Sequence, residues 1–287
     1  MRVLVVANPL AGFVSPSLVA EVVARCDAVL DADPSTVDLV VAVGGDGTAG
    51  SVAARVGSTP LFIVPAGTAN SFYRTLWGST PWRVALDLAL SGLPATPVDL
   101  AHVAELDVVS LSGAGTGFIP RATHAAKQAG VGYGQAAVSL ADRYRPYPGR
   151  VIVDGRVVHG GPTLLANVGG GRYRGGEYAL LPRTILDDGL LDVCVLDGST
   201  DIREMLVRTR TGSHVDAPGV VYARGRHIRL ERTDGHPLWF EHDGEVTPRT
   251  RSSYTVEVLP RAISVIADPT RRKDLRATGF EHAPARP

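Results

Sequence analysis

The chain opens on an almost unbroken apolar run, residues 2–7, that stops at Asn8-Pro9-Leu10-Ala11-Gly12. Apolar residues without alternation predict a strand buried on both faces, here entering a turn. Ser15 and Pro16 then predict a helix over Pro16–Cys26, with Ser15 as its N-cap and Pro16 at the first helical position. A short strand is expected at 28–30. Residues 37–43 are the strongest strand of the chain and run straight into Gly44-Gly45-Asp46-Gly47-Thr48, followed by a stretch of helical character over 49–56. A further strand at 61–64 leads into Pro65-Ala66-Gly67-Thr68-Ala69-Asn70, with helices expected at 71–76 and 82–90. Strand and helix alternate up to about Pro97, which predicts an open, parallel α/β sheet covered by helices on both faces.

The pattern changes after that. Strands of half-buried type are expected at 103–111, 150–153, 163–166, 191–196, 227–231, 238–241 and 254–259, separated by Gly, Pro, Asp and Asn. A β-sandwich or closed β-layer accounts for them most economically. Two helical stretches interrupt, one from 120 to 128 or beyond through 144 and one over 202–209. The predicted fold is α/β plus β: an N-terminal open parallel α/β nucleotide-binding domain over 1–97 and a C-terminal β-sandwich domain over 98–260. A last strand near 262–267 is placed to return to the first domain, with 261–270 as the returning segment and 271–287 as a loose polar tail.

A length of 287 residues suits two domains at ~100–200 residues each. Lys and Arg total 29 and Asp and Glu total 29, so bulk charge calls for neither nucleic acid nor an acidic membrane. No stretch reaches the ~18 apolar residues that span a bilayer, so membrane contact is expected at the surface only. The expected location is cytoplasmic, with peripheral contact at the inner membrane face. Cys26 and Cys194 lie far apart in apolar surroundings and are expected as reduced core residues. Nothing in the pattern opposes a homodimer.

The glycine segment has a physical task. Gly44, Gly45 and Gly47 let backbone approach a polyphosphate, amides at the helix start donate to its oxygens, and Thr48 adds a hydroxyl. A carboxylate in such a cradle, Asp46, makes sense if it holds Mg²⁺ or receives a proton. Gly67, Thr68 and Asn70 repeat the design at the end of the next strand, and Asn8, Pro9 and Gly12 end the first strand at the same sheet edge. That edge is where open α/β sheets bind ligands. Asp243 and Glu245, two apart around Gly244, point to one side of an extended segment and suit one base and one metal holder. The Asp-Gly pair is also a common hairpin turn. The glycine-rich loop 169–176, with Arg172 and Arg174, is expected as a flexible connection bearing two exposed arginines, the alternative being a mobile anion-binding loop. The basic, aromatic stretch 143–150 is expected as a solvated loop, and the histidines 214, 227, 236 and 242 do not stand at metal-ligand spacing.

The ordered set Asn-Pro-Leu-Ala-Gly, Gly-Gly-Asp-Gly-Thr and Pro-Ala-Gly-Thr-Ala-Asn-Ser-Phe resembles the diacylglycerol kinase catalytic family, including bacterial lipid kinases. The segment from Leu181 to Val193 is similar to that family's Pro-X-Ala-X-X-X-Asp-Gly-X-Leu-Asp-Val, and Glu241-His242-Asp243-Gly244-Glu245 to its Asp-Gly-Glu segment. The resemblance covers roughly residues 2–267. It implies ATP as phosphoryl donor, Mg²⁺ as cofactor and a lipid hydroxyl as acceptor, diacylglycerol by default, in a cleft between the domains. By position it implies nucleotide contacts from Asn8 to Gly12, from Gly45 to Ser51 and at Thr68. Asp243 or Glu245 would be the general base, with the other and Asp46 organising Mg²⁺. Asp188, with the backbone near Ile185 and Leu190, would match a second, structural Mg²⁺ site. Gly50-Ser51 stand where the family usually carries Asn-Glu. Two rivals remain open: an NAD-kinase-like or phosphofructokinase-like activity, since both also use a Gly-Gly-Asp-Gly turn, and a catalytically degenerate nucleotide- or lipid-binding protein.

Overall fold

The computed structural model describes residues 1–271; the expected tail beyond Arg271 lies outside the described residues. The first layer is built from β1 (Val3–Ala7), α1 (Pro16–Cys26), β2 (Leu39–Gly44), α2 (Asp46–Ala53), β3 (Leu61–Pro65), α3 (Ser71–Trp77) and α4 (Trp82–Leu90). All six residues of β2 are buried, as a strand with helices on both faces requires. β1 pairs with β2 and β2 with β3, all parallel, in registers that set Ala7 against Val43 and Gly44 against Pro65. The loops after these three strands therefore leave the sheet at one edge. Helix α1 begins as expected, Ser15 Oγ accepting from Leu18 N at 3.1 Å. The strand expected at 28–30 amounts to one parallel bridge, Leu4 to Val29, and α2 starts at Asp46 rather than at Ala49. The glycine cluster thus includes the first helical turn itself.

The second layer comprises β4 (Thr96–Val103), β5 (Val108–Ser110), β6 (Ala114–Thr116), α5 (Phe118–Ala129), α6 (Tyr133–Ala141), β7 (Tyr147–Val153), β8 (Arg156–Gly169) and β9 (Leu191–Asp197). It continues with α7 (Ile202–Thr211), β10 (Val220–Gly225), β11 (His227–Arg232), β12 (Phe240–His242), β13 (Glu245–Val246) and β14 (Ser253–Val265). The strand expected over 103–111 is a hairpin, β4 turning at 104–107 into β5, with Asp107 left-handed at φ 51°. The helical stretch expected from 120 to 128 or beyond through 144 takes the shorter bound as α5, which Gly130 ends in the left-handed conformation, and a separate helix, α6, follows.

The domains share strands. β14 is one strand, not two: a bulge between Leu259 and Ile263, with Arg261 at φ 47°, redirects it from the sandwich to the first sheet, where Val265 lies parallel to Leu61. Asp99 pins that bulge, accepting from Arg261 N at 2.7 Å and from Gly189 N at 2.6 Å. β4 runs alongside β14 through the same junction, so residue 97 falls inside a strand. One core fills the α/β layer and a second the sandwich, where Phe240 stacks on Tyr254 at 3.9 Å between centroids. A third lies beneath α5, α6 and α7. Cys26 and Cys194 are buried free thiols, as expected. No helix among the described residues is long and apolar enough to cross a membrane.

Candidate active site

A cleft of ≈ 1130 Å³ opens between the two layers. One wall is made of the three strand-end loops. Gly45 caps α2 with extended backbone, and Gly67 lies so near that a Cβ on it would sit 2.3 Å from Gly45 Cα. Two backbones in contact bring the start of α2 and the turn at Gly67 to the same space. Asn8 ties the first loop to α2, its Nδ2 donating to Thr48 Oγ1 at 3.1 Å while its Oδ1 accepts from Leu10 N at 3.0 Å. Asn70, left-handed at φ 53°, closes its own turn by accepting from Gly67 N and donating to Gly67 O at 2.8 and 2.6 Å. Asn8, Pro9, Gly12, Gly45, Asp46, Gly47, Thr48, Gly67 and Thr68 line the cleft. Gly44 and Asn70 stand behind that lining: a Cβ on Gly44 would strike Thr48 Oγ1 at 2.5 Å.

The facing wall is acidic. Asp243 belongs to the β12–β13 turn and takes φ 44°, which Asp tolerates better than most residues. Its carboxylate accepts from Leu111 N at 2.9 Å and Ser112 N at 2.8 Å, locking the turn against β5. Glu245 reaches across, with Oε1 3.7 Å from where a Gly47 Cβ would be. It remains solvent-accessible and paired with Lys127 at 3.2 Å. Asp46 spans the two turns, its oxygens accepting from Ser71 N and Phe72 N at 2.9 Å each. It caps α3 in place of Asn70, whose side chain makes no cap bond.

Sequence reasoning assigned no role to Glu241. It is buried, Oε2 accepts from Gly244 N at 2.7 Å, and Oε1 has no partner among the described residues. Arg174 corrects an expectation. The loop 169–176 is not a flexible connection with two exposed arginines, because Arg174 is 5% exposed and Arg172 half-buried. Nε of Arg174 donates to Asn167 Oδ1 at 2.8 Å. Neither burial carried a sequence signal: Arg174 is enclosed by its own loop folding back on Asn167 and Val168 of β8, and Glu241 by the β12–β13 turn against β6.

Burial pushes Glu241 up to about 7, against the pull of Arg174 and the Gly244 amide. Burial raises Asp243, opposed by Arg174 and the two backbone amides, and raises Asp46, opposed by its own two amides. A group raised from 4.5 to about 7 stabilises the fold most below its unfolded value and loses that contribution as pH rises through 7. The loss is ~3 kcal/mol for this shift. Glu241→Gln is therefore expected to remove roughly that much of the decline in unfolding free energy between pH 5 and pH 8, measured by urea titration. Parallel profiles for the two proteins would refute the displaced titration.

Mg²⁺ fits the acidic wall in one respect. Glu241 Oε1 is a buried carboxylate oxygen without a partner, close to the carboxylates of Asp46 and Asp243. Among the described residues no three acidic, histidine or cysteine side chains gather tightly enough to ligate an ion alone. Mg²⁺ usually keeps several waters and takes one or two carboxylates plus substrate phosphates, so these residues suit a hydrated ion arriving with nucleotide. The second expected site is different. Asp188 lies outside the cleft and is ion-paired with Arg224, whose Nε is also 3.5 Å from buried Asp192. Leu190 turns its amide N–H toward Asp188, at 3.1 Å. One guanidinium faces both carboxylates there.

Two departures from the family pattern have visible consequences. A Cβ on Gly50 would lie 2.8 Å from Asp243 Oδ2, so Asp243 occupies the room a side chain at 50 would need. Ser51 Oγ accepts from Arg55 Nη2 at 2.9 Å, and Arg55 lines the cleft. Arg55 thus brings a guanidinium to this wall beside Ser51.

A glycine-turn α/β layer closed against a β-sandwich that supplies carboxylates defines the class: a two-domain kinase of the diacylglycerol kinase and NAD kinase fold. The family model described as "Diacylglycerol kinase catalytic domain" matches residues 13–103, and that described as "YegS C-terminal NAD kinase beta sandwich-like domain" matches residues 114–267. A "Probable lipid kinase YegS-like" protein of Pectobacterium atrosepticum is 33% identical over 237 residues, covering 79% of this chain and 77% of the relative. A diacylglycerol kinase structure from Bacillus anthracis superposes with TM-score 0.71 at 25% identity, covering 94% of this chain and 98% of that one. An NAD kinase from Archaeoglobus fulgidus, solved with ATP, shares the fold at TM-score 0.53 and 15% identity over 97% and 98% of the two chains. The chain belongs to the YegS-like lipid kinase family.

Proposed function

We propose that the chain transfers the γ-phosphoryl group of ATP to a lipid hydroxyl in a Mg²⁺-dependent reaction, with diacylglycerol as the first acceptor to test. The observation that carries this reading is the juxtaposition of Glu245 with Gly47, which sets a solvent-accessible carboxylate against the amide-rich start of α2. Phosphates seated on the three loops would have their terminal group beneath that carboxylate. The acceptor oxygen attacks the γ-phosphorus, its proton passes to Glu245, the new P–O bond forms and the bridging bond to ADP breaks. Glu245 is assigned as the base because it is accessible. Asp243, its oxygens held by two amides, positions the turn. Glu241 and Asp46 would hold Mg²⁺, which would supply charge neutralisation at the phosphates when bound. Phosphoryl transfer needs little more than such positioning and electrostatics.

The lipid acceptor is supported by Leu10 and Phe13, 92% and 69% exposed, which line the cleft on the β1–α1 loop. Apolar side chains at the mouth suit an acceptor met at a bilayer surface. The test is γ-³²P transfer from ATP, with and without Mg²⁺, into diacylglycerols, monoacylglycerols and sphingoid bases. Metal-dependent label in the organic phase is expected. Label confined to the aqueous phase would indicate an NAD-kinase-like acceptor, and ATP binding by calorimetry without any transfer would indicate a binding protein.

A further inference from the structure

Among the described residues three cations line the cleft: Arg55, Lys127 and Arg174. Arg55 and Lys127 are exposed, whereas Arg174 is held inside. Its backbone is clamped in both directions with Tyr178, N to O at 2.8 Å and O from N at 3.1 Å. Its Nε donates to Asn167 Oδ1 at 2.8 Å and its Nη2 to Val168 O at 3.3 Å. Nη1 has no hydrogen-bond partner among the described residues. The side chain is therefore fixed on one edge of the guanidinium and free on the other.

The same loop touches the nucleotide wall. Gly176 N donates to Ser71 Oγ at 3.1 Å, and a Cβ on Gly176 would lie 2.7 Å from Ala69 O, next to Gly67 and Thr68. Arg174 acts on Asp46, Glu241 and Asp243 through space but hydrogen-bonds to none of them. A guanidinium present only to neutralise those carboxylates would be expected to pair with them directly. One held off them, with a free N–H edge and nearly dry, is arranged for an anion that arrives later.

We propose that Arg174 contacts the γ-phosphoryl group of the bound nucleotide through its free Nη1 edge and stabilises the charge that shifts during transfer. The inference rests on the kinase reading above. It would make Arg174 a catalytic residue from the sandwich domain, completing a site whose other phosphate contacts come from the α/β domain. The site would then discriminate ATP from ADP, since only the triphosphate reaches the arginine.

The experiment compares wild-type protein with Arg174→Gln and Arg174→Lys by calorimetric affinity for ATP and ADP, steady-state transfer to lipid, and thermal unfolding. As for loss of one preorganised donor to a developing charge, kcat of Arg174→Gln is expected to fall ~10²–10³-fold with KM for lipid within about threefold. The ATP-over-ADP affinity ratio should fall ~10-fold, and Arg174→Lys should recover part of both. Retention of kcat within about threefold would overturn the inference. Loss of kcat with an unchanged ATP-to-ADP ratio would also overturn it, since the residue would then act only on the carboxylates. Failure of both variants to fold would make the residue structural and end the proposal. If wild-type protein transfers nothing to any lipid, the kinase reading fails by itself, and the affinity ratio still decides whether Arg174 senses the third phosphate.

Discussion

Glu245→Gln is expected to lower the rate of phosphoryl transfer ~10²–10⁴-fold while leaving ATP affinity nearly unchanged, the range typical of losing a positioned general base. The reasoning is local. Glu245 is a two-residue strand's first member, with a side chain 64% exposed and one ion-pair partner, Lys127, which is itself 55% exposed. An exposed pair of this kind contributes little to folding, about 0–1 kcal/mol. The amide therefore changes proton acceptance and leaves the turn intact, because Asp243 and Glu241 hold that turn through the Leu111, Ser112 and Gly244 amides. Single-turnover transfer with unchanged thermal unfolding is the measurement. An unaltered rate would remove Glu245 from proton transfer and return Asp243 as the base. Asp243→Asn makes a different comparison, since an amide can accept only through its one oxygen and would leave one of two buried N–H groups unsatisfied.

The second large effect is expected from one methyl group. Gly67→Ala would place Cβ 2.3 Å from Gly45 Cα, 3.0 Å from Gly45 N and 3.2 Å from Asn70 Oδ1. Two of these three atoms are backbone, so relief requires the turns to separate rather than a side chain to rotate. Overpacking of this kind costs about 1–3 kcal/mol. The functional loss should exceed the stability loss, because the displaced atoms carry the amides that would bind phosphate. ATP affinity is expected to fall ~100-fold, equivalent to about 2.7 kcal/mol. Gly160→Ala is the control, an exposed glycine with nothing within 4 Å of its would-be Cβ. Calorimetric titration of both variants with ATP tests the contact, and an undiminished affinity in Gly67→Ala would show that the two turns do not form one phosphate wall.

Much of the α/β layer was legible because its cause is local. Strands β1, β2 and β3 are apolar throughout; β1 stops before Asn8-Pro9, β2 ends on Gly44 and β3 on Pro65. Ser15-Pro16 carries a helix start in two residues. Three loops at one sheet edge follow from parallel alternation alone. The break left open at Gly130 and the one missed at 104–107 also have local signals, but each interrupts a segment whose apolar content continues on both sides. Bulges such as that at Arg261 leave almost no trace in periodicity, so one strand serving two sheets read as two strands.

The sequence by itself determined the fold class, the glycine turns that form one wall of the cleft, and the presence of an Asp-Gly-Glu segment. These depend on residue type and near-neighbour spacing, which set backbone freedom and burial pattern. Only the tertiary structure decided what each carboxylate does: Asp46 caps α3, Asp243 locks a turn, Glu241 is buried with one oxygen bare, and Glu245 remains free to reach the α2 start. It also decided that Arg174 is an interior cation and that Arg224 answers Asp188. Charge state, exposure and partner are properties of the space around a side chain, and that space is assembled from strands far apart in the chain.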